Sequence, residues 1–237
     1  MSDTARSTSD KYLIEFAGLP GVGKSFLHHK LFIGLQSSNA KVYFPRVYLV
    51  ERRFQKILLK LSVVFIFILQ NISASILLIR AFNARFHFKL LFNWFFVLAS
   101  VQRMQKISYG LLDQGIIQAI WSCQYRGIDY KTELLSEAIT QVLHKADIRK
   151  IIVVQVLADT EQNSNWLAVR KDGRSPLEDA SPLRLGDLSE SISAALSSFK
   201  ELHLEEVCDV EIINYQNVPG DSSRKFVDDF LSRLGKA

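Results

Sequence analysis

Apolar runs and helical stripes alternate along this chain. Leu13-Ile14-Glu15-Phe16-Ala17 has the length and character of a buried strand interrupted by one charge, and Leu27, Leu31, Phe32 and Leu35 follow at helical spacing. Lys41 to Val50 places β-branched and aromatic residues around Pro45, which suits a short or edge strand. Ile107 to Leu112 is a short apolar strand ending in Asp113, and Ile116, Ile117, Ala119, Ile120 and Trp121 continue as a helix. Lys131 to Ala146 forms a second helix with Leu135, Ile139 and Val142 or Leu143 on one face and Asp129 as the expected N-cap. Ile151 to Leu157 is the clearest strand, nearly continuous in apolar residues as a central parallel strand is. After the polar stretch from Asp159 to Pro182, Asp187-Leu-Ser-Glu190 has capping-box spacing, so a helix carrying Ile192, Leu196, Phe199 and Leu202 is expected to start there. Val210 to Asn214 gives a last strand. Asp221 would cap a final helix with Phe226, Val227, Phe230, Leu231 and Leu234 inward. Strands alternating with helices imply an α/β fold: a parallel sheet of about five strands, covered on both faces. Residues 11–237 read as one domain, preceded by a loose polar tail over residues 1–10.

One region breaks this alternation. From Glu51 the chain becomes helical, basic and very apolar as far as Lys106, so residues 51–106 read as a helical insertion. Between Lys60 and Arg80 lie 19 uncharged residues, the length of a transmembrane helix. Gln70, Asn71 and three serines interrupt that run, with a break expected around Asn71 to Ser75. A single crossing would also put Gly18 to Ser25 and the residues after Arg103 on opposite sides of the bilayer, although a site built on that stretch needs both. The only partner for a second crossing, the 13 residues between Lys89 and Arg103, would reach about 20 Å across a core of about 30 Å. Buried or membrane-surface helices are therefore expected in place of a span.

Charge sharpens the contrast. The whole chain carries +5, but Lys41 to Lys106 holds eleven Lys or Arg against one acid, Glu51, which gives +10 for the segment and −5 for the rest. An anionic partner is implied for the segment. No helix-turn-helix or RNA-binding signature accompanies it, so nucleic acid is not expected; a phosphorylated small molecule or an anionic membrane surface fits better. Two separated cysteines, Cys123 and Cys208, argue against a disulfide framework or a zinc site and for a reducing compartment. The polar N-terminus has no apolar signal core, so a cytoplasmic location is expected, with peripheral attachment to a membrane as the second reading. The five histidines show no ligand spacing and are treated as structural.

The chemistry-bearing motif lies between the first strand and the first helix. Gly18-Leu19-Pro20-Gly21-Val22-Gly23-Lys24-Ser25 fits G-x-x-x-x-G-K-[ST] without a mismatch, and Phe26 continues into the helix. The glycines allow consecutive N–H groups to turn inward around phosphate oxygens. Lys24 would reach the β- and γ-phosphates and Ser25 would hold Mg²⁺, with the helix N-terminus adding its positive end. Ligands of open α/β sheets bind at the carboxyl ends of the strands, which draws attention to Asp113 as a metal-shell acid or proton acceptor, or as a simple helix cap. Arg170 and Arg174, near Trp166 in the polar stretch, have the guanidinium geometry to close over a γ-phosphate. Arg46 could meet an anionic acceptor, though a surface role is the simpler reading. The buried charge of Glu15 needs a partner: Lys24, the metal shell or solvent.

Glu15 to Ser25, the later Leu111-Leu-Asp-Gln-Gly115 and an Arg-containing loop after a fourth strand together resemble the P-loop nucleoside and nucleotide kinases, the thymidylate-kinase-like and adenylate-kinase-like group. The resemblance implies a three-layer P-loop NTPase fold with strand order 2-3-1-4-5, an acid at Asp113 near the acceptor or metal, and a lid supplying Arg170 and Arg174. Asp113-Gln-Gly departs from the Asp-Arg-Tyr or Glu-Arg-Ser of that group, and the basic hydrophobic helices replace its acceptor region. The expected activity is transfer of the γ-phosphoryl of MgATP to a small, anionic acceptor, catalysed by Lys24, Asp113, Arg170 and Arg174. NTP hydrolysis is the second choice of reaction. A peripheral membrane protein whose basic helices bind anionic lipid or a partner is the alternative function.

Overall fold

The computed structural model describes residues 11–45, 53–82, 88–159, 182–218 and 222–235. Its centre is a five-stranded, wholly parallel sheet of β1 (Tyr12–Ala17), β2 (Val42–Tyr43), β3 (Tyr109–Leu112), β4 (Lys150–Leu157) and β5 (Asp209–Gln216). Their order across the sheet is β2-β3-β1-β4-β5, as expected. Two strands are shorter than their apolar runs: β2 keeps only two residues, and β3 begins at Tyr109, not Ile107. Register sets Glu15 opposite Leu112 on one side and Val153 on the other. Asp113 therefore leaves the sheet one residue beyond the level of Glu15.

The period-two alternation of strand side chains sorts the core into two layers. Ile14, Phe16, Leu111, Ile152 and Val154 face α1 (Lys24–Ser37) and, at the other end of the chain, Phe230 and Leu231. Leu13, Ala17, Leu112, Ile151 and Val153 face the larger helical layer. That layer contains α2 (Arg53–Gln70), α3 (Ile72–Ala81), α4 (Phe88–Gln102), α5 (Ile116–Gln124), α6 (Thr132–Ala146) and α7 (Pro182–Lys200). The last helix, α8 (Ser222–Arg233), completes the α1 side, where Leu231 lies 2.8 Å from where a Cβ on Gly34 would stand.

Two expected helix starts are corrected. The N-cap of α6 is Lys131, not Asp129, and no side chain bonds to the cap amides. Helix α7 begins at Pro182, so Asp187-Leu-Ser-Glu190 lies inside it and does not start it; proline at a first helical position has its φ preset and no needed donor lost. The expected cap at Asp221 lies outside the described residues. The apolar stripes behave as the spacing predicts, with Leu135, Ile139, Val142, Ile192, Leu196 and Phe199 all buried.

The insertion divides in two. Helix α4 is buried over almost its whole length from Leu90 to Gln102, so the second apolar segment is core. Among the described residues no single helix is long and apolar enough to cross a membrane; α2 and α3 together meet that length and composition but are bent by 107° at Asn71. The bend is fastened by polar groups. Asn71 Nδ2 donates to Phe67 O at 3.0 Å and to Gln102 Oε1 at 2.6 Å, and Lys145 Nζ of α6 donates to Gln70 O at 2.7 Å and Asn71 Oδ1 at 3.0 Å.

Candidate active site

The glycine motif forms the turn between β1 and α1. Gly18, Gly21 and Gly23 have φ of 147°, 86° and 91°, backbone angles that a side chain resists. Space demands glycine as well: a Cβ on Gly18 would stand 2.4 Å from Val156 O, and one on Gly23 would stand 2.5 Å from Asn217 Nδ2. Asn217, just beyond β5, donates through Nδ2 to Val22 O at 2.7 Å, and its own amide donates to Leu157 O at 2.8 Å. The segment after β5 thus buttresses the turn from the far side of the sheet.

Gly23 caps α1 without a side-chain partner for the first amides, so the helix presents its N–H groups and the positive end of its dipole to the turn. Lys24 Nζ donates to Gly18 O and Leu19 O, each at 2.7 Å, which lays the ammonium across the mouth of the loop. Ser25 Oγ donates to Asp113 Oδ2 at 3.0 Å, bringing together residues 88 positions apart. Val22 is buried in the core, while Phe26 stands outward, 57% exposed, with Lys30 Nζ 4.6 Å from its ring centroid. Lys24, Ser25 and Asp113 are therefore gathered at one edge.

Asp113 is not the cap of the next helix. That place belongs to Gly115, and the first amides of α5 are taken by Glu15: its Oε2 accepts from Ile116 N at 2.8 Å, and its Oε1 from Ile117 N at 2.7 Å and Gln118 N at 3.3 Å. This corrects the expectation that Lys24, a metal shell or solvent satisfies Glu15. Burial raises its carboxyl from 4.5 to about 7, against the amides of residues 115–118, which favour the charged form. Gly115 is required by the same contact, since a Cβ there would stand 2.4 Å from Glu15 Cδ.

With Glu15 occupying the helix end, one oxygen of Asp113 stays uncommitted. Asp113 Oδ1 is buried and has no hydrogen-bond partner among the described residues, and the same holds for His28 Nε2, one turn after Ser25. Burial lowers the pKa of His28, opposed by the charge of Asp113 and a hydrogen bond with the Leu111 backbone. The imidazole stands edge-on to Phe16, with centroids 5.3 Å apart, and 5.0 Å from the Phe44 ring beyond β2. This is the edge where β2 and β3 end.

A hydroxyl and a carboxylate with a bare buried oxygen suit a small, hard cation, and the uncapped amides at the start of α1 suit phosphate oxygens. Mg²⁺ is held in that manner, by one or two protein oxygens plus substrate phosphates. Among the described residues no cluster of three or more His, Cys, Asp or Glu forms a cage of its own. The two cysteines are free, buried and far from this edge in role: burial pushes both thiols up to about 11, and Trp94 Nε1 donates to Cys123 Sγ at 3.4 Å. Arg46, Trp166, Arg170 and Arg174 lie outside the described residues. Glu15, His28 and Asn217 are the site residues that sequence reasoning missed in role; Glu15 carried a signal as a charge inside a strand and His28 as a polar residue on the apolar stripe of α1, whereas Asn217 carried none.

A parallel 2-3-1-4-5 sheet between two helical layers, with a glycine turn joining β1 to α1, is the three-layer α/β fold of the P-loop kinases. No protein-family profile and no characterised sequence matches the chain. Among solved structures it is similar to dCTP-bound deoxyadenosine kinase from M. mycoides, at 11% identity over 93% of this chain and 99% of that one, with a TM-score of 0.45. It is also similar to an uncharacterised protein from Eubacterium ventriosum, at 9% identity over 97% and 99% of the two chains, with a TM-score of 0.39. Likeness this distant says nothing of activity, which has to be read from the site itself.

Proposed function

We propose that the protein is an ATP-dependent phosphotransferase of the nucleoside and nucleotide kinase type. The observation that carries this reading is the pairing of Ser25 Oγ with Asp113 Oδ2 at 3.0 Å beside the glycine turn, with Asp113 Oδ1 left bare. In this reading the amides from Gly18 to Phe26 cradle the β- and γ-phosphates, and Lys24 exchanges its loop carbonyls for phosphate oxygens. Ser25 and Asp113 would hold Mg²⁺, which supplies neutralisation of charge between the β- and γ-phosphates.

The transferred group passes from the β-bridging oxygen of ATP to an acceptor oxygen: one P–O bond breaks, one forms, and ADP leaves. An acceptor hydroxyl must lose its proton, and Asp113 is the base within reach of the strand-end edge. Arg170 and Arg174 would then close over the γ-phosphate. Most of the barrier reduction comes from positioning and charge, as phosphoryl transfer generally requires. The acceptor belongs on the β2–β3 side, where His28, Phe44 and Asp113 offer an apolar wall with two polar atoms.

The test is ADP production from MgATP over a panel of nucleosides, nucleotides, sugars and phosphorylated headgroups. Acceptor-dependent ADP release that is lost in Asp113→Asn supports the proposal. ADP release that ignores every acceptor makes the protein an NTP hydrolase, and calorimetry showing no uptake of any magnesium–nucleotide complex removes the site assignment.

A further inference from the structure

The α2–α3 limb exposes far more apolar surface than a folded protein ordinarily leaves in water. On α2, Phe54, Ile57, Leu61, Phe65 and Leu69 are each 46% exposed or more, and Ile72, Ile76 and Ile79 continue the pattern on α3. These positions recur every three or four residues, so they form continuous stripes. Their opposite faces are ordinary core: Val63, Val64 and Phe67 are buried on α2, and Ala74 and Leu78 on α3. An exposed apolar area this continuous marks an interaction surface.

Charge says which kind. No acidic residue occurs between Glu51 and Asp113, and the segment from Lys41 to Lys106 carries +10. Lys56 and Lys60 lie on α2 and Arg80 on the last turn of α3, so cations accompany the apolar stripes along both helices. The Lys60 ammonium stands 4.7 Å from the Phe96 ring centroid, a cation–π contact that fixes this charge beside α4. A cleft of about 210 Å³ between α2 and the end of α4 sets Ile66 and Phe67 beside Arg103 and Lys106, with Gln70, Gln102 and Gln105 also lining it. Apolar side chains bordered by cations of one sign complement acyl chains beneath anionic headgroups.

We infer that the α2–α3 limb seats this protein on an anionic membrane surface, lying in the interface without crossing it. The bend decides between those two. Straightening α2 and α3 into a span would break the Asn71 bond to Gln102 and pull Lys145 from Gln70 and Asn71, leaving polar groups of α4 and α6 unpaired. An L-shaped pair anchored to α4 and α6 keeps those bonds and still offers its outer stripes to lipid.

Co-sedimentation of the full chain with phosphatidylcholine vesicles, with and without phosphatidylglycerol, tests this at low and high salt. Binding is expected only to the anionic vesicles, falling roughly tenfold or more as salt rises. The double variant Leu61→Ser, Phe65→Ser, which alters exposed positions only, should lose vesicle binding while its circular dichroism and nucleotide affinity stay unchanged. Equal binding to neutral and anionic vesicles, or none to either, overturns the inference. So does a dimer in sedimentation velocity that the double variant dissolves, which would assign the face to a second copy of the chain.

Discussion

At the glycine turn, backbone groups set the shape and side chains from distant strands lock it; along α2 and α3, side chains of ordinary core type are left facing out. Gly18 and Gly23 are fenced by Val156 O and by Asn217, and the turn's polar atoms meet Lys24 and Asn217. Two residues apart on α2, by contrast, Phe67 is 1% exposed and Phe65 is 63% exposed. The first region is intolerant of change because Val156 O and Asn217 leave no room for a side chain at Gly18 and Gly23. The second has one intolerant face and one that the fold does not use, and an unused apolar face persists where something outside the chain uses it.

The comparison breaks first at Lys24. Lys24→Ala should reduce phosphoryl transfer by about 10³-fold or more with an unchanged circular dichroism spectrum, since removing one charge-stabilising donor has that order of effect; full activity would detach the turn from catalysis. Next comes Phe67→Ala, expected to cost about 3–5 kcal/mol in chemical denaturation as a fully buried aromatic. A cost under one kcal/mol, on the same scale, would mean that the inner face of α2 is no core at all.

Glu15 gives a pH signature of comparable size. Its carboxyl titrates at 4.5 when unfolded and about 7 when folded. The folded state therefore holds the proton more tightly, so this contribution to stability is complete below pH 4.5 and is lost as pH rises through 7. The stability of the wild type relative to Glu15→Gln should fall by about 3 kcal/mol as pH rises across that window, from 1.36 kcal/mol per unit; a flat difference would show that the α5 amides hold the carboxylate charged throughout it. A smaller effect is expected from Gly23→Ala, about 1–3 kcal/mol for a side chain forced into a left-handed angle. Its cycle with Asn217→Ala should show coupling, because the new methyl and Asn217 Nδ2 compete for one place. Smallest of all, Phe65→Ala should alter stability by no more than about 0.5 kcal/mol, while Phe67→Ala does not.

What could be read in advance was what is local. β1, the glycine motif and α1 are contiguous, and their pattern carried the fold and pointed to the candidate site. Asp113 was found because a strand end is visible as a run that stops. Glu15 was flagged as a charge in need of a partner, but the partner lies 101 residues away at Ile116 and no spacing encodes it. The start of α7 was misplaced because a capping-box spacing inside a helix looks the same as one at its edge. The break at Asn71 was legible as polar residues in an apolar run; its angle was not, because Gln102 and Lys145 fix it from two other helices.

The grip of Glu15 on the first turn of α5 has a mechanical consequence. Glu15 precedes the first loop glycine by three residues and holds the chain immediately after Asp113, so the two banks of the cleft are welded into one piece. The glycine turn and Asp113 thus share one support, and under the proposed kinase reading a shape change on nucleotide binding would fall to other parts of the chain.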